Sequence, residues 1–340
     1  MLKVGIVGAR GYTGEELIKL LVHHPDVRLV YLAATLDKAQ AISEIFPKFK
    51  GVIDLKCEPF DPVAASKKCD LVFLALPHTV SMDVVSKFVR QNKKIVDLSA
   101  DYRIKNAGIY KDWYHKSHKD QKNLKKFVYG LPELYREKIK KTDFVANPGC
   151  YPTAAILGIT PILISGLADK DSIIIDAKSG VSGAGKKVEL GYIFPEVNGN
   201  FKGYKFNAHQ HSPEINQELS KVSLSKVDVT FSPHLLPVNR GIFETIYIKL
   251  KKTVSPEKIN DVYSKFYKTE PFVRFKGIGK LPELKDVVGT NFCDIGIAYD
   301  ASRPQLIIVS VIDNLLKGAS GQAVQNMNIM CGFDEKQSLV

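Results

Sequence analysis

Apolar and polar positions alternate in two different periods along the first hundred residues. The apolar run from Leu2 to Val7 leads into a short turn, and apolar residues then recur at helical spacing up to Val22. A second apolar run covers residues 27–33, so the three segments predict a strand, helix and strand in succession. Two further strands are predicted at residues 70–77 and 94–99, with a helix between them at residues 79–90. This alternation predicts an α/β fold with a doubly wound parallel sheet.

The pattern changes near residue 150. A helix at residues 152–164 is followed by longer apolar runs with few helical stretches between them, at residues 173–178, 227–232, 241–250, 292–299 and 306–312. Successive strands of this kind predict an α+β domain with a largely antiparallel sheet. A last helix at residues 320–330 is long enough to return to the first domain. We therefore predict a first domain of residues 1–149, completed by about residues 314–340, and a second domain of residues 150–313.

Composition and charge exclude several classes of protein. Of the 340 residues 45% are hydrophobic and 25% charged, which is the balance of a globular chain and excludes a disordered one. Apolar runs fall short of the roughly 18 residues that cross a bilayer, and the start of the chain has no signal-peptide pattern, so we expect a cytoplasmic protein. The formal charge of +12 is compatible with binding to nucleic acid, with an anionic substrate, or with an organism whose proteins are generally rich in lysine. The densest basic stretch, residues 116–141, has no groove-reading motif, and we expect a solvated surface there.

The turn after the first strand contains three glycines at a spacing of three residues. Glycines between a strand and a helix let backbone N–H groups and the helix N-terminus approach a pyrophosphate, as in a Rossmann-type domain, although such a turn also occurs without a ligand. The end of the second strand carries Thr35 and no acid, and Arg10 and Lys38 can pair with a 2′-phosphate. NADP is therefore favoured, while Asp37 keeps NAD open. The expected cofactor-binding residues are Gly8, Arg10, Gly11, Tyr12, Thr13 and Gly14 at this turn, and Thr35 at the end of the second strand.

One cysteine stands apart from the other four. The five cysteines are scattered without a Cys-x-x-Cys spacing, which fits neither a disulfide framework nor a zinc site. Cys150 lies in a turn that feeds a helix, where the helix dipole favours a thiolate and backbone N–H groups can hold an oxyanion. We predict Cys150 as a nucleophile. The remaining four cysteines are expected to be small buried hydrophobic residues.

A pair of histidines precedes a predicted helix that ends near residue 221. In the segment His209-Gln210-His211-Ser212-Pro213-Glu214 the last three residues predict an N-cap and first turn. His211 then sits at a rigid junction, which suits a general acid and base. His209 is expected to be structural. A metal pair is the weaker alternative, because no further ligands cluster nearby, and we expect no metal.

A glycine and serine loop follows the strand at residues 173–178. It runs from Ser179 to Lys186 and can lie flat against a ligand because it carries few side chains. A plain flexible loop is the alternative.

Taken together, these segments resemble the N-acetyl-γ-glutamyl-phosphate reductases of arginine biosynthesis, a family of the semialdehyde dehydrogenase group. The matching blocks cover nearly the whole chain, and the combination is far more specific than any one block. They are residues 8–17 (GARGYTGEEL), 98–103 (LSADYR), 129–134 (YGLPEL), 147–153 (NPGCYPT), 178–186 (KSGVSGAGK), 209–214 (HQHSPE), 233–241 (PHLLPVNRG) and 313–326 (DNLLKGASGQAVQN).

The resemblance implies NADPH-dependent reduction of N-acetyl-glutamyl 5-phosphate to N-acetyl-glutamate 5-semialdehyde through a cysteine thioester. Cys150 matches the nucleophile and His211 the acid and base. The resemblance further implies that Ser179, Gly180, Ser182, Gly183 and Asn314 lie against the nicotinamide, and it implies a homodimer or homotetramer whose second domain is catalytic and oligomerising. The small-molecule substrate is expected to contact Arg103, Asn147, His209 and Arg240.

Two departures from the family and several alternatives bear on this interpretation. Family members often carry Ser-Arg where this chain has Thr35-Leu36, and Arg where it has Gln210. An aspartate-semialdehyde dehydrogenase, or a reductase of a carrier-protein-linked aminoadipyl or glutamyl phosphate, would use the same thiol and hydride chemistry. A dinucleotide-sensing binding protein and a nucleic-acid binder are the alternatives outside the enzymes. Neither of them needs Cys150 and His211.

Overall fold

The computed structural model describes residues 1–186 and 188–340. The chain forms two compact units, one of residues 1–148 with 319–340 and one of residues 149–318. Gly149 and residues 314–318, which we expected in the first domain, fall in the second unit.

The first unit is built on a twisted, mostly parallel sheet in the order β3-β4-β2-β1-β5-β6-β8-β7. Only the pair of β3 with β4 is antiparallel. The strands are β1 (Leu2–Val7), β2 (Val27–Ala34), β3 (Gln40–Ala41), β4 (Lys56–Pro59), β5 (Leu71–Leu74), β6 (Lys94–Asp97), β7 (Val128–Tyr129) and β8 (Phe144–Ala146). The connecting helices are α1 (Tyr12–Leu21), α2 (Ile42–Ile45), α3 (Pro62–Lys68), α4 (Ser81–Arg90), α5 (Ala107–Tyr114), α6 (Gln121–Leu124) and α7 (Pro132–Ile139). The predicted doubly wound α/β sheet is thus confirmed.

The second unit is a seven-stranded mixed sheet in the order β10-β11-β9-β12-β15-β14-β13. Its strands are β9 (Ile174–Ser179), β10 (Lys202–Gly203), β11 (Thr230–Leu235), β12 (Ile242–Lys249), β13 (Val273–Ile278), β14 (Cys293–Tyr299) and β15 (Gln305–Ile312). Its helices are α8 (Cys150–Ile164), α9 (Phe194–Val197), α10 (Ser212–Ser223) and α11 (Pro256–Tyr267). Two strand pairs, β9 with β11 and β13 with β14, are parallel, so the sheet is largely but not wholly antiparallel.

Helix α8 forms the centre of the second unit. Residues 151–163 of this helix are all buried, because α8 packs on the β12 and β15 side of the sheet and against α10 and α11. Gly158 allows the close approach, since a Cβ there would lie 3.0 Å from a methyl carbon of Ile246. The N-terminus of α8 is therefore held in place by the core of the unit.

The last helix, α12 (Ser320–Cys331), belongs to the first unit and packs against α1 and α7. Residues 320–330 of α12 are all buried and include several amides. Asn326 Nδ2 donates to the Gly130 carbonyl at 2.8 Å, and His24 Nε2 lies 2.9 Å from Asn328 Oδ1. Short 3₁₀ helices in the two units lie at Pro47–Phe49, Val181–Ala184, Leu190–Tyr192 and Leu284–Asp286.

The basic stretch at residues 116–141 is only partly the solvated surface that we expected. Its lysines at 116, 119, 122, 125 and 126 are exposed, but His118, Asp120 and Phe127 are buried. Tyr102 stacks on Phe127 with ring centroids 4.1 Å apart and donates a hydrogen bond to Asp120. The lysines extend outward from a segment that covers the first unit's core, so the stretch is structural on its inner side.

Candidate active site

The glycine turn of the first unit lies between β1 and α1, and its backbone needs glycine at two points. Gly8 has a φ of +97°, and a Cβ there would lie 2.1 Å from the carbonyl oxygen of Ala75. A Cβ on Gly14 would lie 2.4 Å from the carbonyl oxygen of Gly8. Gly11 is the N-cap of α1 in an extended conformation. The turn therefore brings backbone close to the N-terminus of α1, the arrangement that accepts a pyrophosphate.

The end of β2 presents a cation to solvent. Thr35 follows the last residue of β2 and is exposed, and Arg10 Nη1 donates to the Thr35 carbonyl at 3.2 Å. Arg10 is itself exposed, so the rest of its guanidinium faces solvent beside the strand end. A guanidinium matches a phosphate in charge and geometry. These residues fit the 2′-phosphate of NADP. Tyr12 and Thr13 begin α1 and follow Arg10 closely in sequence.

Cys150 is the first residue of α8, with Gly149 as an extended N-cap. It is partly buried, whereas Cys57, Cys69 and Cys293 are fully buried. Burial raises the pKa of Cys57 to about 11 and the pKa of Cys69 to about 12. Cys331 is partly buried, and desolvation raises the pKa of its thiol to about 11. Cys150 is thus the cysteine that combines access with the N-terminus of a helix.

The two histidines lie beside the first turn of α8. The Tyr151 ring is 5.4 Å from the His209 ring and 5.9 Å from the His211 ring, measured between centroids, and the two imidazoles are 4.9 Å apart. His211 is the N-cap of α10, which confirms its predicted position at a junction. The backbone N–H of His211 donates to His209 Nδ1 at 3.1 Å. His209 therefore orients the segment that carries His211.

Ser212 is not the N-cap that we predicted. It is the first residue of α10, and the helix has no side-chain cap hydrogen bond at this end. The N-cap position is instead taken by His211, with φ −82° and ψ −16°. The correction moves His211 one position closer to the helix, where the positive end of the α10 dipole is strongest.

Asn314 and the loop after β9 hold each other in place within the second unit. Asn314 is buried; its Nδ2 donates to Ser182 Oγ at 3.0 Å and its Oδ1 accepts from the Gly241 N–H at 2.7 Å. Ser179 and Ser182 are buried, while Gly183 is exposed. Gly180 packs against backbone, since a Cβ there would lie 2.7 Å from the Asn239 carbonyl oxygen. The loop is thus ordered by specific contacts, and its contact with a nicotinamide stays a prediction.

Three residues expected to bind substrate make internal hydrogen bonds. Arg103 is buried and donates from Nε to the Asn147 carbonyl at 2.6 Å and from Nη2 to the Leu98 carbonyl at 2.7 Å. Asn147 is buried and donates from Nδ2 to the Ala319 carbonyl at 3.1 Å. Arg240 Nε lies 3.0 Å from a carboxylate oxygen of the buried Asp313. Arg103 and Asn147 thereby join loops of the first unit, and substrate contact by any of the three stays a prediction.

Glu214 and Gly318 were not predicted as site residues, yet both contact the start of α8. Glu214 Oε1 accepts from the Gly149 N–H at 2.8 Å. A Cβ on Gly318 would lie 2.8 Å from the Cβ of Cys150. Glu214 was visible in the sequence as an acidic first-turn residue, but its partner lies 65 positions away, so local pattern gave no signal of the contact.

Neither a metal cluster nor a membrane-crossing helix is found in the part of the chain that the structure describes. No group of three or more His, Cys, Asp or Glu side chains is arranged to hold a metal among those residues. No helix within residues 1–186 and 188–340 is long and apolar enough to cross a membrane.

Comparison with known proteins identifies the family to which these two units belong. Residues 3–142 match the family model described as semialdehyde dehydrogenase, NAD binding domain, and residues 150–314 match the model described as semialdehyde dehydrogenase, dimerisation domain. The chain therefore belongs to the semialdehyde dehydrogenase family.

Relatives within the family are more specific. The chain is 46% identical over 340 residues to the N-acetyl-gamma-glutamyl-phosphate reductase of Desulfotalea psychrophila, covering 100% of this chain and 98% of the relative. It is 48% identical over 338 residues to the enzyme of the same name from Pelotomaculum thermopropionicum, covering 99% and 97% of the two chains.

Solved structures with the same fold are more distant. Aspartate semialdehyde dehydrogenase II of Vibrio cholerae superimposes with a TM-score of 0.72 at 17% identity, covering 98% of both chains. Aspartate semialdehyde dehydrogenase of Candida albicans, solved with NADP, gives a TM-score of 0.69 at 16% identity, covering 97% of this chain and 98% of the other. At these identities the likeness shows the fold alone.

Proposed function

We propose that this protein is an NADP-dependent N-acetyl-γ-glutamyl-phosphate reductase. It reduces N-acetyl-L-glutamyl 5-phosphate to N-acetyl-L-glutamate 5-semialdehyde, with release of phosphate, in arginine biosynthesis. The geometric observation that carries the proposal is a partly exposed cysteine at the first position of a buried helix, with two histidines packed on the next residue. The choice of substrate is supported by relatives of that name at 46–48% identity over nearly their full length.

The first step is attack by Cys150 Sγ on the acyl carbon of the substrate. A C–S bond forms, the bond from that carbon to the phosphate oxygen breaks, and phosphate leaves with the electron pair. The first-turn N–H groups of α8 have no acceptor within the helix and point past its N-terminus, where an oxyanion on the acyl carbon would develop. Cys150 then holds the acyl group as a thioester, which accepts hydride more readily than a carboxylate does.

Residues of the first unit would hold NADP. The glycine turn of Gly8, Gly11 and Gly14 lies at the N-terminus of α1, which would hold the pyrophosphate, and Arg10 beside Thr35 would pair with the 2′-phosphate. The chemistry that the reduced cofactor supplies when bound is a hydride for the thioester carbonyl carbon.

His211 moves the proton that the remaining chemistry requires. The oxyanion that follows reduction of the thioester takes a proton from the imidazolium of His211. The imidazole next removes the proton from the same hydroxyl as the C=O bond forms and the C–S bond breaks, which releases the aldehyde and returns Cys150 to its thiolate. His209 supports this role because its Nδ1 accepts the backbone N–H of His211 and so holds the segment that carries the His211 imidazole.

The assembly and location belong to the same proposal. A homodimer or homotetramer formed through residues 150–314 is supported by the description of the matching family model as a dimerisation domain. A cytoplasmic location stays a prediction from the sequence.

The test is the reverse reaction, followed by the absorbance of reduced cofactor. The protein is mixed with N-acetyl-glutamate semialdehyde, phosphate and either NADP or NAD, with aspartate semialdehyde as the alternative substrate. We expect phosphate-dependent reduction of NADP with the acetylated aldehyde only, and loss of turnover in Cys150→Ser but not in Cys331→Ser, a matched control at the other partly buried cysteine. Activity on aspartate semialdehyde alone, or on neither aldehyde, would overturn the proposed substrate.

A further inference from the structure

Glu214 is a fully buried carboxylate on α10, three residues after His211. Its Oε1 accepts the backbone N–H of Gly149 at 2.8 Å, and both atoms are buried. Gly149 is the N-cap of α8 and directly precedes Cys150. One side chain therefore joins the residue before the proposed nucleophile to the helix turn that carries the proposed acid and base.

A hydrogen bond of this kind fixes two helix ends against each other. Gly149, the N-cap of α8, has no side chain that could cap the helix. Its backbone N–H is instead bound by the side chain of Glu214, which belongs to α10. A buried backbone N–H that loses its acceptor is left unpaired, which is costly in a folded protein. Glu214 lies in the first turn of α10, so the bond joins the starts of α8 and α10.

We propose that Glu214 is a positioning residue that sets the geometry of Cys150 relative to His211. The proposal rests on the proposed function for the roles of those two residues. Glu214 acts through Gly149: the core holds residues 151–163 of α8, and without the bond Gly149 and Cys150, which precede them, lose their hydrogen-bonded link to α10 and shift. Since a misplacement of about 1 Å costs on the order of a hundredfold in rate, loss of the contact reduces kcat while leaving KM nearly unchanged.

Two substitutions separate the reach of the side chain from its charge. Glu214→Gln keeps the length and an amide oxygen that accepts from Gly149, but loses the charge. Glu214→Asp keeps the charge, but is one methylene too short to reach the same N–H. We expect Gln to retain kcat within about threefold and Asp to lose about tenfold or more. Glu218→Asp is the matched control, because Glu218 is a buried glutamate of α10 whose Oε1 accepts from Lys221 instead.

The experiment measures kcat, KM and thermal midpoint of the full-length variants, together with the pH profile of Cys150 alkylation by iodoacetamide. Alkylation needs no substrate, so it reports on the position of Cys150 even if the assigned reaction is wrong. We expect Glu214→Asp to change the alkylation profile and kcat, Glu214→Gln to keep kcat within about threefold of wild type, and Glu218→Asp to match wild type. Equal effects of Glu214→Asp and Glu218→Asp, or a Glu214→Gln variant as impaired as Glu214→Asp, would overturn the proposal.

Discussion

Replacing Gly318 by alanine tests whether the backbone around Cys150 tolerates any displacement. The added Cβ would lie 2.8 Å from the Cys150 Cβ and 2.6 Å from the Asn314 carbonyl oxygen, whereas ordinary contact begins at 3.4 Å. The atoms must therefore separate by about 0.6 Å and 0.8 Å, the differences between those distances. Neither neighbour yields easily, because Cys150 is fixed in the first turn of α8 and Asn314 is bonded to Ser182 and Gly241.

Both stability and rate should respond. Overpacking of this size costs about 1–3 kcal/mol, and a loss of about 2 kcal/mol lowers the thermal midpoint by about 4–8 °C in a unit of this length. A shift of Cys150 by a fraction of an ångström lowers kcat by about tenfold to a hundredfold. Differential scanning calorimetry measures the thermal midpoint, and the reverse reaction with N-acetyl-glutamate semialdehyde, phosphate and NADP measures kcat.

Gly191→Ala is the control for the glycine substitution. Gly191 lies in the same unit, has no positive φ, and its added Cβ would meet only the end of the flexible Lys202 side chain at 3.1 Å. We expect this variant to match wild type in both measurements. A Gly318→Ala protein with unchanged midpoint and unchanged kcat would show that the contact with Cys150 carries no constraint.

Two further predictions concern a buried charge and the cofactor. Burial raises the pKa of Glu244 well above its usual value, outweighing the nearby charge of Lys178, and within the described chain neither carboxylate oxygen has a hydrogen-bond partner. Because its pKa is raised in the folded state, the Glu244 carboxyl ionises at lower pH in the unfolded chain, so it costs folding free energy as pH rises. Glu244→Met should therefore be more stable than wild type by about 1–3 kcal/mol near neutral pH, and by less near pH 4. A gain in thermal midpoint that is the same at both pH values would contradict this. Arg10→Ala should raise KM for NADPH about tenfold or more and KM for NADH much less, in steady-state assays with both cofactors; equal changes would exclude contact with the 2′-phosphate.

Local pattern predicted those parts of the structure that depend on neighbours in sequence. The strand at β1, the glycine turn, Cys150 at a helix start and His211 at a junction all follow from runs of a few residues. The strand at β13 was missed because its residues, VRFKGI, include two cations. Arg274 and Lys276 both pair with the buried Asp294 of β14, so the pairing partner explains charges that the segment alone does not.

The contacts that complete the site are long-range and were not predictable from spacing. Glu214 contacts Gly149 across 65 positions, and Gly318 packs on Cys150 from the end of the same unit. The expected substrate roles of Arg103 and Asn147 came from the family resemblance, and they stay predictions. In the folded first unit, the side chains of both residues donate hydrogen bonds to backbone carbonyls. Residue type does not distinguish a structural donor of this kind from a donor to substrate.

The most direct test of a thioester on Cys150 is a burst experiment in the absence of phosphate. N-acetyl-glutamate semialdehyde and NADP are mixed rapidly with the enzyme, and NADPH is followed by absorbance while the protein is quenched for mass spectrometry. We predict a burst of about one NADPH per active site, an acyl adduct on the peptide that contains Cys150, and steady turnover only once phosphate is added. Steady turnover without phosphate, or a full burst with no adduct on Cys150, would contradict the mechanism.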